Sequence, residues 1–196
     1  MEIEVMEDAV KALERGKILA LPTDTVWGLM ASAHDVGALE RLYERKGRPL
    51  DKPFQVLCAS VQAARSLAQL EGTLERDFAR LARFWPGALT LLVPARDEVP
   101  ARLRPGGVVG LRVPDFAPVQ TLLSHLGGFA ACTSLNPSGQ PAVTSLGAAR
   151  AHATLYDALW NAGTSRGQAS TVFELRTRTA ARVGELRPET LLEALA

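Results

Sequence analysis

Three short apolar runs, each ended by a proline, constrain the fold of this chain more than any other feature. They are Lys17–Leu21 before Pro22, Ala88–Val93 before Pro94, and Val108–Val113 before Pro114. Proline has no backbone N–H to donate to a neighbouring strand, so a short apolar run that stops at a proline is typical of a buried β-strand and its end. The sequence therefore predicts a sheet of short strands.

Helical patterns alternate with these runs. The predicted helices are Met6–Arg15, Val36–Arg45, Val61–Leu70, Thr73–Phe84, Phe116–Leu126 and the residues after Pro188. Further predicted strands are Val26–Ala31, Phe54–Cys58, Phe129–Thr133, Thr171–Leu175 and Ala181–Leu186. This alternation predicts the α/β class, with one twisted sheet of mixed parallel and antiparallel strands and helices on both sides. The 196 residues fit one domain, 1–196, with no additional C-terminal domain.

Two connections differ from the rest of the chain. Asn136–Pro141 has the composition of a turn. The longer connection Asp97–Gly107 carries Arg102 and Arg104 and has two interpretations, a lid over a site or a solvated link between strands.

The charge balance argues against a general nucleic-acid binder. Lys and Arg number 22 against 21 Asp and Glu, so the net charge is +1 and the protein has no global field to attract polyanions. The acidic start MEIEVMED does not resemble a signal peptide, and no apolar run approaches the ~20 residues that cross a bilayer. The two cysteines, Cys58 and Cys132, are expected to be free thiols in a reducing cytoplasm. We therefore expect a cytoplasmic protein with no membrane association.

Several common catalytic motifs are absent from the sequence. Gly16-Lys17 lacks the upstream glycine of a phosphate loop, and no serine lies in a GxSxG motif. The three histidines, His34, His125 and His152, stand far apart without carboxylates at metal-ligand spacing, so no protein metal site is predicted. The sequence gives little support to a hydrolase or a zinc enzyme.

The segment Lys46-Gly-Arg48-Pro-Leu-Asp-Lys52-Pro places three cations directly after a predicted helix. One interpretation is a solvated helix end, where cations complement the negative pole of the helix dipole. The other is a polyphosphate clamp, because an arginine fork and compact lysine charges match neighbouring phosphate groups.

Two segments that follow predicted strands are suitable partners for such a clamp. Cys132-Thr-Ser134-Leu-Asn136-Pro-Ser138-Gly is rich in hydroxyl groups, and Pro22-Thr-Asp-Thr25-Val-Trp27-Gly combines hydroxyls with an aromatic ring. Ligands of α/β sheets commonly bind at such strand ends. The alternative is that the first is a simple polar turn and the second a link between strands.

Taken together, these segments resemble the YrdC/Sua5-like family of threonylcarbamoyl-adenylate synthases. The resemblance extends from about Gly16 to Arg187 and rests on seven segments in order. These are LPTDTVWGL, ERKGRPLDKP, FWPGALTLLVP, VGLRVPD, TSLNPSGQP, GQASTV and ELRP. It implies a YrdC-like fold with a positively charged concave pocket. It also implies the synthesis of threonylcarbamoyl-adenylate and pyrophosphate from ATP, L-threonine and bicarbonate, for the threonylcarbamoyladenosine modification of tRNA.

The resemblance also implies roles for particular residues. The Lys-x-Arg and Ser-x-Asn tetrad of the family matches Lys46, Arg48, Ser134 and Asn136. Arg48, Lys52, Ser134 and Arg187 would hold the nucleotide. Thr25, Arg112, Cys132 and Ser170 would frame the threonine. Mg²⁺ is expected with ATP, held mostly by phosphate oxygens and water. The product would pass to a tRNA threonylcarbamoyl transferase complex, with weak direct binding of tRNA or double-stranded RNA.

Four positions depart from the family pattern, namely Leu57, Leu135, Ala142 and the stretch 160–163 with Asn161. Two alternative functions therefore stay open. The chain could be a related paralogue that forms a carbamoyl-adenylate, or an RNA-binding module of the same fold. Such a module would rely on phosphate contacts, so its affinity would fall steeply with salt.

Overall fold

The strands in the described part of the chain form one continuous sheet. The computed structural model describes residues 1–49 and 52–196, so Leu50 and Asp51 of the predicted clamp segment lie outside it. The strands are β1 Glu2–Ile3, β2 Leu19–Leu21, β3 Gly28–Ala31, β4 Gln55–Cys58, β5 Leu89–Pro94, β6 Val108–Arg112, β7 Phe129–Ser134, β8 Ala158–Trp160, β9 Thr171–Glu174 and β10 Thr179–Arg182. Their order is β1-β8-β2-β3-β7-β4-β6-β5-β9-β10.

The sheet is mixed, as the sequence predicts. The pairs β1–β8, β2–β8, β4–β6 and β5–β9 are parallel. The pairs β2–β3, β3–β7, β4–β7, β5–β6 and β9–β10 are antiparallel. The parallel pairs need crossover connections, which the intervening helices supply.

The helices are α1 Met6–Glu14, α2 Val36–Lys46, α3 Val61–Leu67, α4 Gly72–Leu81, α5 Ala117–His125, α6 Leu146–Ala151 and α7 Pro188–Leu195. Asp35, Ser60 and Ser145 begin α2, α3 and α6, because each side chain accepts a hydrogen bond from the backbone N–H three residues later. No helix in residues 1–49 or 52–196 is long and apolar enough to cross a membrane.

Two apolar layers cover the two faces of the sheet. Strand β2 shows the alternation, since Leu19 and Leu21 join one layer and Ala20 joins the other. Helices α1 and α5 pack on the first face, and the apolar sides of α2, α3, α4 and α7 pack on the second. The predicted arrangement of helices on both sides of the sheet is confirmed. Among the residues that the structure describes, only α1 and α5 pack on the first face, which leaves part of it for a site.

Most predicted elements are confirmed within a few residues, and the exceptions have local causes. The predicted strand Ala181–Leu186 is wrong in its bounds, because β10 ends at Arg182. The next residues turn toward the start of β9, where Glu185 N donates to Ala169 O at 3.0 Å. The short elements β1, α6 and β8 are present in the structure but not in the prediction.

The Asp97–Gly107 connection belongs partly to the core. Val99 and Leu103 are buried, and Arg104 Nε donates to Val99 O at 2.7 Å. Arg102 forms an exposed ion pair with Glu40. The connection is therefore packed against the protein, and its residues are not among those that line the cavity described next.

Candidate active site

A cavity of about 470 Å³ lies on the sheet face that α1 and α5 only partly cover. Its floor comes from strands β7, β4, β6, β5 and β9. Cys132, Gln55, Gly110 and Leu92 form one row across the first four of these strands. All four line the cavity, because residues in register on neighbouring strands point to the same face. The described residues that line it include three arginines, Arg48, Arg112 and Arg182, and none is an aspartate or glutamate.

Lys46 joins the end of α2 to the segment after β7. Its Nζ donates to Ser134 O, to Asn136 O at 3.1 Å and to Asn136 Oδ1 at 3.2 Å, and Ser134 Oγ lies 3.4 Å away. Gly47 allows the chain to turn directly after Lys46, because it ends the helix with a positive φ of 60°. The Lys46 side chain thus holds Ser134 and Asn136 in place from behind the cavity wall.

Asn136 extends this cluster into the following turn. Its Nδ2 donates to Gln140 O at 2.6 Å and to Pro137 O at 3.0 Å. Ser138 N in turn donates to Lys46 O at 3.1 Å. Ser134, Asn136 and Gln140 all line the cavity, so the turn 136–140 forms part of its wall.

Burial changes the acidity of the Lys46 amine. Desolvation, with a smaller contribution from the nearby Arg48, lowers the pKa of Lys46 from 10.5 to about 8. Between about pH 8 and 10.5 the unfolded chain keeps a proton that the folded protein has released. This linkage makes the contribution of Lys46 to the free energy of unfolding rise with pH across that range.

An NMR titration can test this shift, because the chain has only four lysines. In protein labelled with ¹³C at lysine Cε, we expect the Lys46 signal to titrate with a midpoint near pH 8. The loss of one signal in Lys46→Arg assigns it. A Lys46 signal that stays unchanged up to pH 10 would contradict the effect of burial.

Arg48 lines the cavity on the side of the predicted clamp. Its Nε donates to Lys52 O at 2.7 Å, one Nη donates to Pro53 O at 2.9 Å, and the guanidinium lies 5.4 Å from the centroid of the Phe54 ring. Burial lowers the pKa of Arg48, although an arginine stays charged at any physiological pH. The backbone of Lys52 thus positions Arg48, while the Lys52 side chain is exposed and does not line the cavity.

Arg112 and Asp24 form an ion pair in the interior. Both side chains are almost fully buried, and Arg112 Nη2 donates to Asp24 Oδ1. Arg112 Nη1 donates to Thr25 Oγ1 at 2.8 Å, and Nε donates to Gly87 O at 3.0 Å. Because arginine has five N–H donors, two of them remain for a ligand. Asp24 Oδ2 is buried without a hydrogen-bond partner among the described residues.

Ser170 lies at the other end of the cavity, in a chain of polar side chains. Its Oγ is 2.9 Å from Thr90 Oγ1, which donates to Gln55 Oε1 at 3.0 Å. Arg182 Nη2 donates to Ser170 Oγ at 3.1 Å. Ser170 and Thr90 are buried, so their hydroxyls are fixed in orientation.

Gly184 is required where the chain passes close to this end of the cavity. A Cβ at Gly184 would lie 2.5 Å from Ser170 O and would clash with Ala169 O. We therefore expect Gly184→Ala to lower the free energy of unfolding by about 1–3 kcal/mol, measured by urea denaturation. Gly147→Ala is the matched control, since its Cβ would have no atom within 4 Å and alanine favours the helix. Equal stability of the two variants would contradict this packing.

The cavity brings together seven of the predicted site residues, namely Thr25, Arg48, Arg112, Cys132, Ser134, Asn136 and Ser170. Lys46 contacts two of them from behind the wall. The predicted nucleotide-binding residues Lys52 and Arg187 are exposed and do not line the cavity. The sequence reasoning missed Asp24, Gln55, Thr90 and Arg182. Gln55 and Thr90 are polar residues within predicted strands that are otherwise mainly apolar, and this local pattern could have marked them as site candidates.

The four departures from the family pattern occupy different environments. Leu57 is fully buried in the layer with α1 and α5, and Leu135 is also buried. Ala142 lines the cavity, whereas Asn161 is exposed. Of these positions, only Ala142 is among the residues that line the cavity.

The donor set of the cavity does not fit a resident metal ion. Among the described residues, no group of three or more His, Cys, Asp or Glu side chains is arranged to hold one. Asp24, which precedes the cavity residue Thr25, forms an ion pair with Arg112. Burial raises the pKa of Cys132 to about 12, so its thiol stays neutral and is a poor metal ligand or nucleophile.

Comparisons with known proteins identify the proteins to which this chain is similar. A family profile for Sua5, YciO and YrdC, described as telomere recombination, matches residues 11–184. Threonylcarbamoyl-AMP synthase of Bacillus subtilis is 37% identical over 139 residues, which cover 69% of this chain and 39% of the relative. The enzyme of the same name from Pseudomonas aeruginosa is 37% identical over 137 residues, covering 68% and 71%.

A solved structure is also similar over nearly the whole chain. The crystal structure of Sua5 from Pyrococcus abyssi, complexed with L-threonine, superposes with a TM-score of 0.89 at 31% sequence identity. The match covers 99% of this chain and 60% of the Pyrococcus protein. The chain thus spans well under two thirds of the length of some of its relatives.

Proposed function

The chain belongs to the Sua5–YciO–YrdC family, and from that premise we propose that it is a threonylcarbamoyl-AMP synthase. The relatives that carry this name support the proposal, as does the L-threonine in the similar Pyrococcus structure. The main structural support is one cavity that combines the Lys46–Ser134–Asn136 cluster with Arg48 and Arg112. This combination supplies cations and oriented polar groups to an anionic ligand.

Arg112 is the proposed partner of the threonine carboxylate. Its two remaining N–H donors can form a bidentate pair with a carboxylate, while Asp24 and Thr25 fix the plane of the guanidinium. Ser170 is suited to hold the threonine hydroxyl, because a buried hydroxyl favours a substrate that completes its hydrogen bonds.

The proposed chemistry has two steps. The threonine amine attacks the carbon of bicarbonate, and loss of water gives a carbamate. A carbamate oxygen then attacks the α-phosphorus of ATP, and the bond from that phosphorus to the oxygen bridging to the β-phosphate breaks. The electron pair leaves with pyrophosphate, and threonylcarbamoyl-AMP remains.

The cavity residues serve these steps by positioning and electrostatics. Negative charge gathers on the phosphate oxygens in the second step, so fixed cations and oriented donors lower its barrier. Arg48 and the Ser134 hydroxyl are placed for this role, and Lys46 supports Ser134 and Asn136. No nucleophilic side chain is needed, which agrees with the neutral thiol of Cys132.

The remaining parts of the proposal concern cofactor and partners. Mg²⁺ would enter with ATP, held by phosphate oxygens and water. The product would pass to a transferase that modifies tRNA. We place the protein in the reducing cytoplasm, which agrees with the two unpaired cysteines, Cys58 and Cys132.

Binding measurements test this enzyme against an RNA-binding module of the same fold. We expect saturable ATP binding and no tight binding of double-stranded RNA at either 50 or 200 mM salt. Calorimetry with each ligand at both salt concentrations provides the data. Tight RNA binding that falls steeply with salt, without ATP binding, would overturn the proposal.

A further inference from the structure

Gln55 stands in the middle of the cavity floor, and its side chain crosses a neighbouring strand at a glycine. Gln55 on β4 pairs with Gly110 on β6, and Gly110 pairs with Leu92 on β5. Because Gly110 has no side chain, Gln55 can reach over β6 to the hydroxyl of Thr90 on β5. A Cβ at Gly110 would lie 3.4 Å from Thr90 Cγ2 and 3.2 Å from Leu92 Cδ2, so a larger residue would crowd this contact.

The hydrogen bonds around Gln55 fix which of its atoms meets a ligand. Thr90 Oγ1 donates its only hydroxyl proton to Gln55 Oε1 at 3.0 Å. The Ser170 hydroxyl, 2.9 Å from Thr90 Oγ1, is therefore the donor in that pair. Within residues 1–49 and 52–196, Gln55 Nε2 has no acceptor and is not one of the buried unpartnered atoms. Two N–H donors of Gln55 are thus open to the cavity.

The strand pairing places Gln55 between two residues that the proposed function assigns to different substrates. On the antiparallel strand β7, Cys132 stands opposite Gln55, and Ser134 lies two residues further, beyond the start of β4. On the parallel strand β6, Arg112 lies two residues after the partner of Gln55, toward the end of β4. Residues two apart in a strand share a face and lie about 7 Å apart. Ser134 and Arg112 therefore flank Gln55 from opposite corners.

The position between Arg112 and Ser134 suits the carbonate group of the proposed reaction. Arg112 is the proposed partner of the threonine carboxylate, and Ser134 is placed for the phosphates. The carbonate carbon becomes joined to the threonine nitrogen on one side and, through an oxygen, to the α-phosphorus on the other. It must therefore lie between the two, above Gln55. The amide of Gln55 supplies hydrogen-bond donors to carbonate oxygens there without adding a charge.

We propose that the Gln55 amide nitrogen binds an oxygen of bicarbonate and holds the same oxygen in the carbamate. The inference rests on the proposed function and deepens it, because it assigns a residue to the third substrate. The oxygen that Gln55 holds becomes the carbonyl oxygen of the product. The other carbamate oxygen attacks the α-phosphorus. Gln55 thereby fixes the plane of the carbamate and directs the attacking oxygen toward the nucleotide.

Steady-state kinetics on the full chain, in buffers freed of dissolved CO2, test the proposal. We expect Gln55→Met to raise the KM for bicarbonate about 10- to 100-fold, as for the loss of a hydrogen bond to a charged group. The KM for ATP should stay within about twofold. Gln62→Met is the matched control, because Gln62 is exposed on α3 and outside the cavity, and it should keep the wild-type KM values. An unchanged KM for bicarbonate in Gln55→Met would overturn the proposal.

Thr90→Val separates substrate binding by Gln55 from the positioning of its neighbours. The substitution removes the hydroxyl that contacts both Gln55 and Ser170, and it leaves the Gln55 amide in the cavity. We expect a smaller rise in the KM for bicarbonate than in Gln55→Met, together with a rise in the KM for threonine through Ser170. If both variants raise the KM for bicarbonate equally, Gln55 acts only through Thr90 and the proposal is wrong.

Two spectroscopic measurements complete the test. With bound product labelled by ¹³C at the carbamoyl carbon, the infrared C=O stretch should lie at a lower wavenumber in the wild type than in Gln55→Met, because a hydrogen bond weakens the C=O bond. Equal wavenumbers would contradict the contact. If the wild type forms no product, the proposed function fails. The ¹³C NMR linewidth of bicarbonate then tests Gln55 separately: greater broadening by the wild type than by Gln55→Met supports carbonate binding, and equal broadening overturns it.

Discussion

Replacing Lys46 by alanine is expected to lower the rate of pyrophosphate release about 100- to 1,000-fold, the usual effect of removing one oriented donor from a preorganised site. The Lys46 amine is the shared donor to Ser134 and Asn136, and both residues line the cavity. Without the amine, Ser134 O, Asn136 O and Asn136 Oδ1 lose a hydrogen-bond donor. The part of the cavity wall that Ser134 and Asn136 form is then no longer held in place. The measurement is the initial rate of pyrophosphate release at saturating substrates.

A second variant separates this effect from a general loss of folding. Lys46→Met keeps most of the side-chain volume and removes the donor, so it should lose activity while it retains a cooperative thermal transition. Lys11→Ala is the matched control, because Lys11 is exposed on α1 and its ion pair with Asp8 is a surface contact. Wild-type rates in folded Lys46→Met would remove Lys46 from the mechanism.

Replacing Arg112 by methionine is expected to lower the free energy of unfolding by about 3–5 kcal/mol. The substitution leaves the carboxylate of Asp24 buried without its partner, and burial of an unpaired charge is costly. Binding of threonine should be lost at the same time, since no other described residue offers the same pair of donors beside Thr25. Urea denaturation measures the first effect, and calorimetry with threonine measures the second.

A double-mutant cycle and a surface pair provide the controls. Asp24→Asn combined with Arg112→Met should be more stable than Arg112→Met alone, because the unpaired charge is gone. Arg150→Ala removes the exposed ion pair with Glu2 and should change stability by less than about 1 kcal/mol. If Arg112→Met and Arg150→Ala lower the free energy of unfolding by similar amounts, the buried pair of Arg112 and Asp24 is no more important for stability than a surface pair.

The sequence alone predicts much of the fold, because several strands that form the floor of the cavity, such as β5, β6 and β7, are short, mainly apolar and close to a proline or glycine. It also identifies residues at strand ends, such as Thr25 and Ser134, since the resemblance assigns them by motif. The pairing order of the strands then brings these ends to one cavity. At Thr25 and Ser134, the position after a predicted strand and the family motif both indicate a site residue.

The other site residues could not be predicted, because their positions depend on how distant strands pair in the folded chain. A local sequence pattern carries no information about that pairing. Arg182 reaches the cavity only because one bulged residue, Ala181, changes the face of the strand. Arg187 matches the motif by sequence, yet the path of residues 184–186 carries it past the cavity. Asp24 acquires its place through an ion pair with a residue 88 positions away. Such contacts follow from the folded chain rather than from a periodicity.

The most direct test of the proposed function is the dependence of pyrophosphate release on each substrate. With ATP, L-threonine and ¹³C-bicarbonate present, the wild-type protein should release one pyrophosphate for each ¹³C-labelled threonylcarbamoyl-AMP detected by mass spectrometry. Omission of threonine or bicarbonate should abolish both signals. Pyrophosphate release that is the same with and without threonine and bicarbonate, or the absence of the labelled product, would contradict the assignment.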